Sequence, residues 1–244
     1  DWMLKHEYAR EALKQGLKME SDLGTNPYKF GMVGSSDSHT GLAAVEEDNY
    51  IGKHAGTEPS PERWNHPMAK FAGRQYDGWA MSASGYAAVW AEDNTREALF
   101  DAMERRETYA TTGPRMTVRF FGGDFAEDAL RRRDLAQIGY SGGVPMGGDL
   151  RSAPSGASPK FLVAAMKDPM SGNLDRIQII RGWLDAQGKT QEKIDVVKIE
   201  FSVPEGQAGR IRVGETIGFR VKAFSCTSPK TACTPYPVRH TNFC

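Results

Sequence analysis

Apolar residues recur at helical spacing in the opening segment, where Ala9, Ala12, Leu13, Gly16 and Leu17 fall at i, i+3, i+4, i+7 and i+8. Lys5, Arg10, Glu11, Lys14 and Lys18 lie off that stripe, so the segment reads as an amphipathic helix with one buried face. Gly24-Thr25-Asn26-Pro27 stops it, and Tyr28–Val33 follows as a short apolar and aromatic run, too brief for a helix and expected as a strand. A helix, a turn and a strand make an α/β unit. From 43 to 80 the pattern dissolves among Gly52, Gly56, Pro59, Pro61, Pro67, Gly73 and Gly78, and a long loop-like excursion is expected. Connections of that length often serve as lids or substrate walls.

Order returns at Tyr86–Ala91, a strand candidate, after which Asn94 is placed to cap a helix over about 95–106 with Glu97 as its capping-box partner. Ala98, Leu99, Ala102 and Met103 form the buried stripe of this helix, and Arg105 and Arg106 suit the negative end of its dipole. Beyond Thr111-Thr112-Gly113-Pro114 the periodicity shifts towards two. Met116–Phe121, Lys160–Ala165 and Arg176–Trp183 read as strands, Gly188 as a hairpin turn, and 152–159 as a Gly-, Ser- and Pro-rich loop. The chemistry-bearing polar run Gly34-Ser35-Ser36-Asp37-Ser38-His39-Thr40-Gly41 follows directly on the first expected strand. Strand C-terminal ends are where α/β and barrel enzymes place functional groups.

Composition narrows the partners. Thirty-one basic residues balance 31 acidic ones, which gives no electrostatic reason to expect nucleic acid or an anionic surface. No apolar stretch approaches the roughly 20 residues of a membrane helix. The opening residues lack both a starting Met and a signal-peptide core, so the true N-terminus is expected upstream. All three cysteines, Cys226, Cys233 and Cys244, lie in the last stretch. Their spacing does not match paired zinc knuckles, even with His240 beside them.

In an extended strand end, Asp37 and His39 alternate across Ser38 and point the same way, within reach of one metal site. Carboxylate plus imidazole suits zinc, manganese or iron. On spacing alone the competing reading, a cap and turn in which Ser, Asp and Thr bond nearby amides, is the stronger. Arg115 offers a planar fork for a substrate anion or, alternatively, a salt bridge. Among Glu46, Glu47 and Asp48, one carboxylate, Glu47 for example, is placed to orient His39 from behind; a solvated helix start is the alternative. Gly139-Tyr140-Ser141-Gly142-Gly143 has the spacing of a nucleophile elbow, but Pro145, Gly147 and Gly148 follow where a helix should begin, and that reading is rejected.

Taken together, the run from Asn26 to Gly41 resembles the last metal motif of the polymerase and histidinol phosphatase (PHP) hydrolases. Within that group it is most similar to a bacterial family of unknown function, through Leu42–Tyr50, Tyr109–Arg115, Gly143–Leu150 and Asn173–Gln178. The likeness runs from Tyr8 to about Ile194. It implies an α/β protein: the C-terminal part of a distorted βα barrel over 1–115, then a β-rich region over 116–200, with two or three metal ions at the strand ends and Asp37 and His39 among their ligands. It also implies a His-x-His motif and further His and Glu ligands that this chain lacks. His6, His54, His66 and His240 are expected at surface or packing positions instead.

The expected function is therefore a fragment of a metal-dependent hydrolase, a phosphoesterase acting on a small molecule, with the isolated piece a poor enzyme because catalytic zinc needs about three protein ligands. A non-catalytic binding or scaffold module, or a fragment inactive by itself, is the alternative. The resemblance fades over 201–244, where a divergent, disordered or frame-shifted tail competes with a genuine disulfide in a bacterial periplasmic or secreted protein.

Overall fold

The computed structural model describes residues 3, 6–41, 53, 62, 65–81, 83, 85–126, 129, 132, 134–150 and 160–198, with two short strands further on. Expectations for 42–52, 54–61, 152–159 and the cysteine-bearing tail, Glu47 included, lie outside the described residues. The content is mixed α/β with small antiparallel sheets, and among the described residues no barrel closes. No helix there is long and apolar enough to cross a membrane.

The core is set by two adjacent strands with both faces covered. β5 (Thr117–Gly123) pairs antiparallel with β8 (Lys160–Met166), and the register places Phe120 opposite Val163 and Phe121 opposite Leu162. Neighbouring residues in a strand point to opposite faces, so each face receives one large pair. On one face Phe120 and Val163 pack with Met146 and with Ile177 and Ile179 of β9 (Arg176–Leu184). On the other, Phe121 and Leu162 pack with Phe125, Ala129 and the Leu135 and Ile138 side chains of α3 (Leu135–Gly142). A sheet buried on both faces needs continuous apolar runs rather than alternation, which explains Phe120-Phe121 and Phe161-Leu162-Val163. β6 (Gly143–Pro145) and β11 (Gly218–Phe219) extend this sheet at its two edges, and β7 (Asp149–Leu150) pairs with β12 (Val238–Arg239).

β9 turns at Gly188 (φ 72°) into β10 (Thr190–Lys198). The face of this hairpin opposite Ile177 and Ile179 meets α1 (Ala9–Leu23). Glu192 of β10 receives Arg10 and Lys14 of the helix, each at 3.3 Å. Gly24, in the left-handed conformation, closes the helix through its N–H to the Glu20 carbonyl. The layers thus run α3, main sheet, β9–β10 hairpin, α1.

Several expectations need correction. The excursion holds a hairpin, β1 (Pro67–Phe71) with β2 (Arg74–Asp77), reversed at Ala72 and Gly73, both with positive φ. Such two-residue turns require left-handed backbone, and Gly73 is a turn signal rather than evidence of disorder. The second helix, α2 (Arg96–Glu104), is capped by Thr95, whose Oγ1 accepts the Ala98 N–H, and not by Asn94. Arg105 and Arg106 lie past its last turn, with Arg106 at φ 64°. His6 precedes α1.

The strand expected over Tyr28–Val33 joins no ladder among the described residues. Gly31 within it and Gly34 just after it bring it flat against β4 (Thr108–Thr111) and β3 (Tyr86–Val89). A Cβ on Gly31 would stand 2.6 Å from Thr108 Oγ1. Close approach replaces pairing there.

Gly139 of α3 crosses Phe121 so closely that a Cβ would meet the ring at 2.5 Å. Gly139→Ala should lower unfolding free energy by about 1–3 kcal/mol through overpacking. Gly172→Ala, in open space, should change it by less than about 0.5 kcal/mol; denaturant midpoints of the two variants check this.

Candidate functional site

The antiparallel pair β3–β4, whose strands are joined through α2, positions the site. One end is fixed to the main sheet, where the Trp90 indole donates to the Val118 carbonyl (2.9 Å) and the Tyr109 hydroxyl to the Met116 carbonyl (3.0 Å). The other end, where Tyr86 pairs with Thr111, carries the segment that leads into Asp37. The Gly34 N–H donates to the Tyr86 carbonyl (3.2 Å) and the Ala83 N–H to the Ser36 carbonyl (3.0 Å). A side chain at Gly34 would lie 2.5 Å from the Tyr86 carbonyl oxygen and 2.7 Å from that of Thr111. Glycine is required there for contact, not for backbone angle.

Along this segment exposure alternates: Val33, Ser35, Asp37 and His39 are exposed, while Gly34, Ser36, Ser38 and Thr40 are half-buried. The expected same-side placement of Asp37 and His39 is therefore found, but not on regular extended backbone, because Asp37 has φ 56°. The left-handed bend lets the imidazole fold back, and His39 Nδ1 lies 2.9 Å from the Asp37 carbonyl oxygen. A carbonyl only accepts, so Nδ1 carries the hydrogen, and in the neutral ring Nε2 holds the lone pair. The turn chemistry weighed against metal binding is present too. Ser35 Oγ accepts the Asp37 N–H (3.3 Å), Ser36 Oγ accepts the Ser38 N–H (3.2 Å), and Ser38 Oγ meets Thr40 Oγ1 at 2.9 Å. The Ser35 and Ser36 hydroxyls thus shape the turn that presents Asp37 and His39.

Lys53 completes the group and was not foreseen. It is only 3% exposed, its ammonium contacts both the carbonyl and the carboxylate of Asp37, and its own carbonyl accepts the His39 N–H at 2.7 Å. Lysine is almost never fully buried unless paired, and nothing in Gly52-Lys53-His54 marks this one. Arg115 reaches the same end of the β3–β4 pair by another route. Its guanidinium lies 5.4 Å from the centre of the Tyr86 ring, and its N–H donates to Asp168 Oδ2 at 2.7 Å. Asp168 also accepts the Met170 N–H at 2.9 Å, closing a side-chain turn over Pro169. Tyr86 thus joins the two motifs, with its backbone against Gly34 and its ring under Arg115.

A family model described as "Protein of unknown function (DUF3604)" matches residues 1–230. The chain belongs to this family. No curated protein and no solved structure matches it. The DUF3604 match extends past Ile194 and takes in Cys226.

The donor set can be tested against a metal ion. Asp37 oxygen and His39 Nε2 are of the kinds that hold zinc, manganese or iron. Among the described residues, however, no group of three or more His, Cys, Asp or Glu side chains is placed to hold one. Asp37 and His39 offer two donors of suitable kind, fewer than the roughly three protein ligands that a catalytic zinc site needs. His66 Nδ1 meets the Pro67 carbonyl at 3.2 Å on the exposed β1–β2 hairpin. A cavity of about 100 Å³ under α1, walled in part by Leu13, Leu17, Tyr28, Met32 and Ile180, includes none of Asp37, His39 and Lys53. Ser141 lies in the last turn of α3 and donates to the Ile138 carbonyl at 3.3 Å, in keeping with the rejection of a nucleophile elbow.

The Arg115 and Met170 N–H groups hold the Asp168 carboxyl below its ordinary value. A lowered folded-state pKa means that the anchoring is present above the unfolded carboxylate value of about 4 and is lost as pH falls through the lower folded value. Acid titration followed by NMR should shift the Arg115 amide only below that range, and Asp168→Ala should abolish the pH dependence.

Proposed function

We propose that this DUF3604 chain contributes the Asp-x-His portion of a metal-dependent hydrolase site, of the PHP type, acting on a small phosphoester. The observation that carries the reading is the His39 ring, anchored through Nδ1 on the Asp37 carbonyl so that Nε2 is the ligating nitrogen beside a carboxylate. That is how metal-binding histidines are oriented. The chemistry a divalent ion supplies in such a site is activation of water and neutralisation of charge on the substrate's oxygens.

Asp37 and His39 bind and orient; the Ser35 and Ser36 hydroxyls hold the turn in shape. Arg115, stacked on Tyr86, supplies a planar cation for the substrate's phosphoryl oxygens. Glu47 remains a candidate partner for the ligands. The remaining ligands come from outside the described residues, in a βα barrel of which 1–115 would form the C-terminal part. The phosphoester class rests on the PHP resemblance, since one fold hosts many chemistries. The second reading, a binding or scaffold module, draws on the Lys53 ammonium that already neutralises Asp37.

Metal content and phosphoesterase activity of the full-length gene product decide between them. Asp37→Ala and His39→Ala should each weaken metal retention by more than the roughly 10–100-fold that outer-shell changes cost, and activity should fall with it. Activity and metal content equal to the parent protein's in both variants would leave the module reading.

A further inference from the structure

We propose that the cavity beneath α1 is a binding site for a short aliphatic monocarboxylate, with Arg106 as the group that receives the anion. The proposal stands apart from the metal-site reading, because the cavity includes none of Asp37, His39 and Lys53. Leu13 and Leu17 of α1, Met32, Met146, and Ile180 of β9 give it an apolar wall. Arg106 lies in the same lining, and its Nε is sealed from solvent with no hydrogen-bond partner among the described residues. Buried polar atoms nearly always have a partner, and one that belongs to a charged group is costly to leave without. Arg106 Nη1 already donates to the Lys29 carbonyl at 3.3 Å, so the Nε edge of the guanidinium is the edge left for a ligand.

The backbone holds that group in place. Arg106 has φ 64°, a left-handed conformation that a residue other than glycine keeps where its surroundings enforce it. Two glycines of the cavity wall crowd it: a Cβ on Gly147 would stand 2.2 Å from the Arg106 carbonyl oxygen, and one on Gly31 would stand 3.3 Å from Arg106 Cβ.

Charge and volume select the ligand. Of the other cations in the lining, Arg10 and Lys14 are paired with Glu192, and Lys29 with Asp149. The same pairs occupy both carboxylates of the lining. Among the described residues, Arg106 is therefore the lining cation with no carboxylate beside it, and the ammonium of an amino acid would find no free acid there. A planar carboxylate matches a guanidinium edge. The cavity, about 100 Å³, is smaller than the roughly 150 Å³ apolar cavity that takes benzene, which limits the ligand's body to about four or five carbons.

Calorimetric titration of the full-length protein with 3-methylbutanoate tests this in the parent, Arg106→Met and Leu17→Trp, the last to fill the cavity. The uncharged 3-methylbutan-1-ol and the amino acid leucine are titrated into the parent for comparison. The expected result is one saturable site for 3-methylbutanoate in the parent, with binding at least tenfold weaker for the alcohol, for leucine, and in each variant. The ligand comparison uses the parent alone, so it decides even where a variant fails to fold. No saturable binding of 3-methylbutanoate to the parent, or equal binding of either comparison ligand, overturns the proposal. Parent-like binding in a folded Arg106→Met protein overturns it as well.

Discussion

The arrangement of the molecule depends on the β5–β8 ladder, whose two faces are both buried. Phe120 and Val163 face the β9–β10 hairpin and Phe121 and Leu162 face α3. Because the strand period is two, a slip of one residue would exchange these faces and place Phe121 where Phe120 now stacks on Phe161 at 5.5 Å. The contacts differ enough to prevent that. Phe121 lies edge-on to Tyr140 and under Gly139, where no side chain fits. Once this register is fixed, Trp90 and Tyr109 fix the β3–β4 pair against the start of β5, and the pair's far end fixes the Asp37 turn.

The site is thus built at one remove from the core, on a short two-stranded ladder. Gly34 and Gly85 let two backbones lie flush: a Cβ on Gly85 would meet the Ser35 nitrogen and oxygen within 3 Å. Flush backbones leave little room for the turn to shift, while its exposed residues remain at the surface. Asp37 pays for its placement with left-handed backbone, of the kind that non-glycine residues adopt mainly where surrounding structure enforces it. Here Lys53 and the Ser35 and Ser36 hydroxyls do so.

Much of this was legible in the sequence. The helical stripe of α1, the strands β5, β8 and β9 and the Gly188 turn follow from periodicity and turn chemistry, and Asp37 and His39 are on one exposed side as their spacing suggests. What escaped has physical reasons. The Ala72–Gly73 hairpin was hidden by glycine and proline density, because the same residues mark both loops and tight turns. α3 was missed because Gly139, Gly142 and Gly143 are poor helix formers, and packing on Phe121 overrides propensity. Tyr28–Val33 has strand composition, but composition does not tell pairing from flat contact. Lys53 left no sequence signal at all, since its partner Asp37 lies sixteen residues earlier in the chain.

The turn fixes the His39 ring through Nδ1 on the Asp37 carbonyl. The tautomer of its neutral ring tests that most directly, through long-range ¹⁵N correlation spectra of the full-length protein, before and after addition of Zn²⁺. The account predicts a protonated Nδ1 and a lone pair on Nε2, with Nε2 the nitrogen whose shift moves when metal is added. A ring protonated on Nε2, or one averaging freely between tautomers and indifferent to metal, would contradict it.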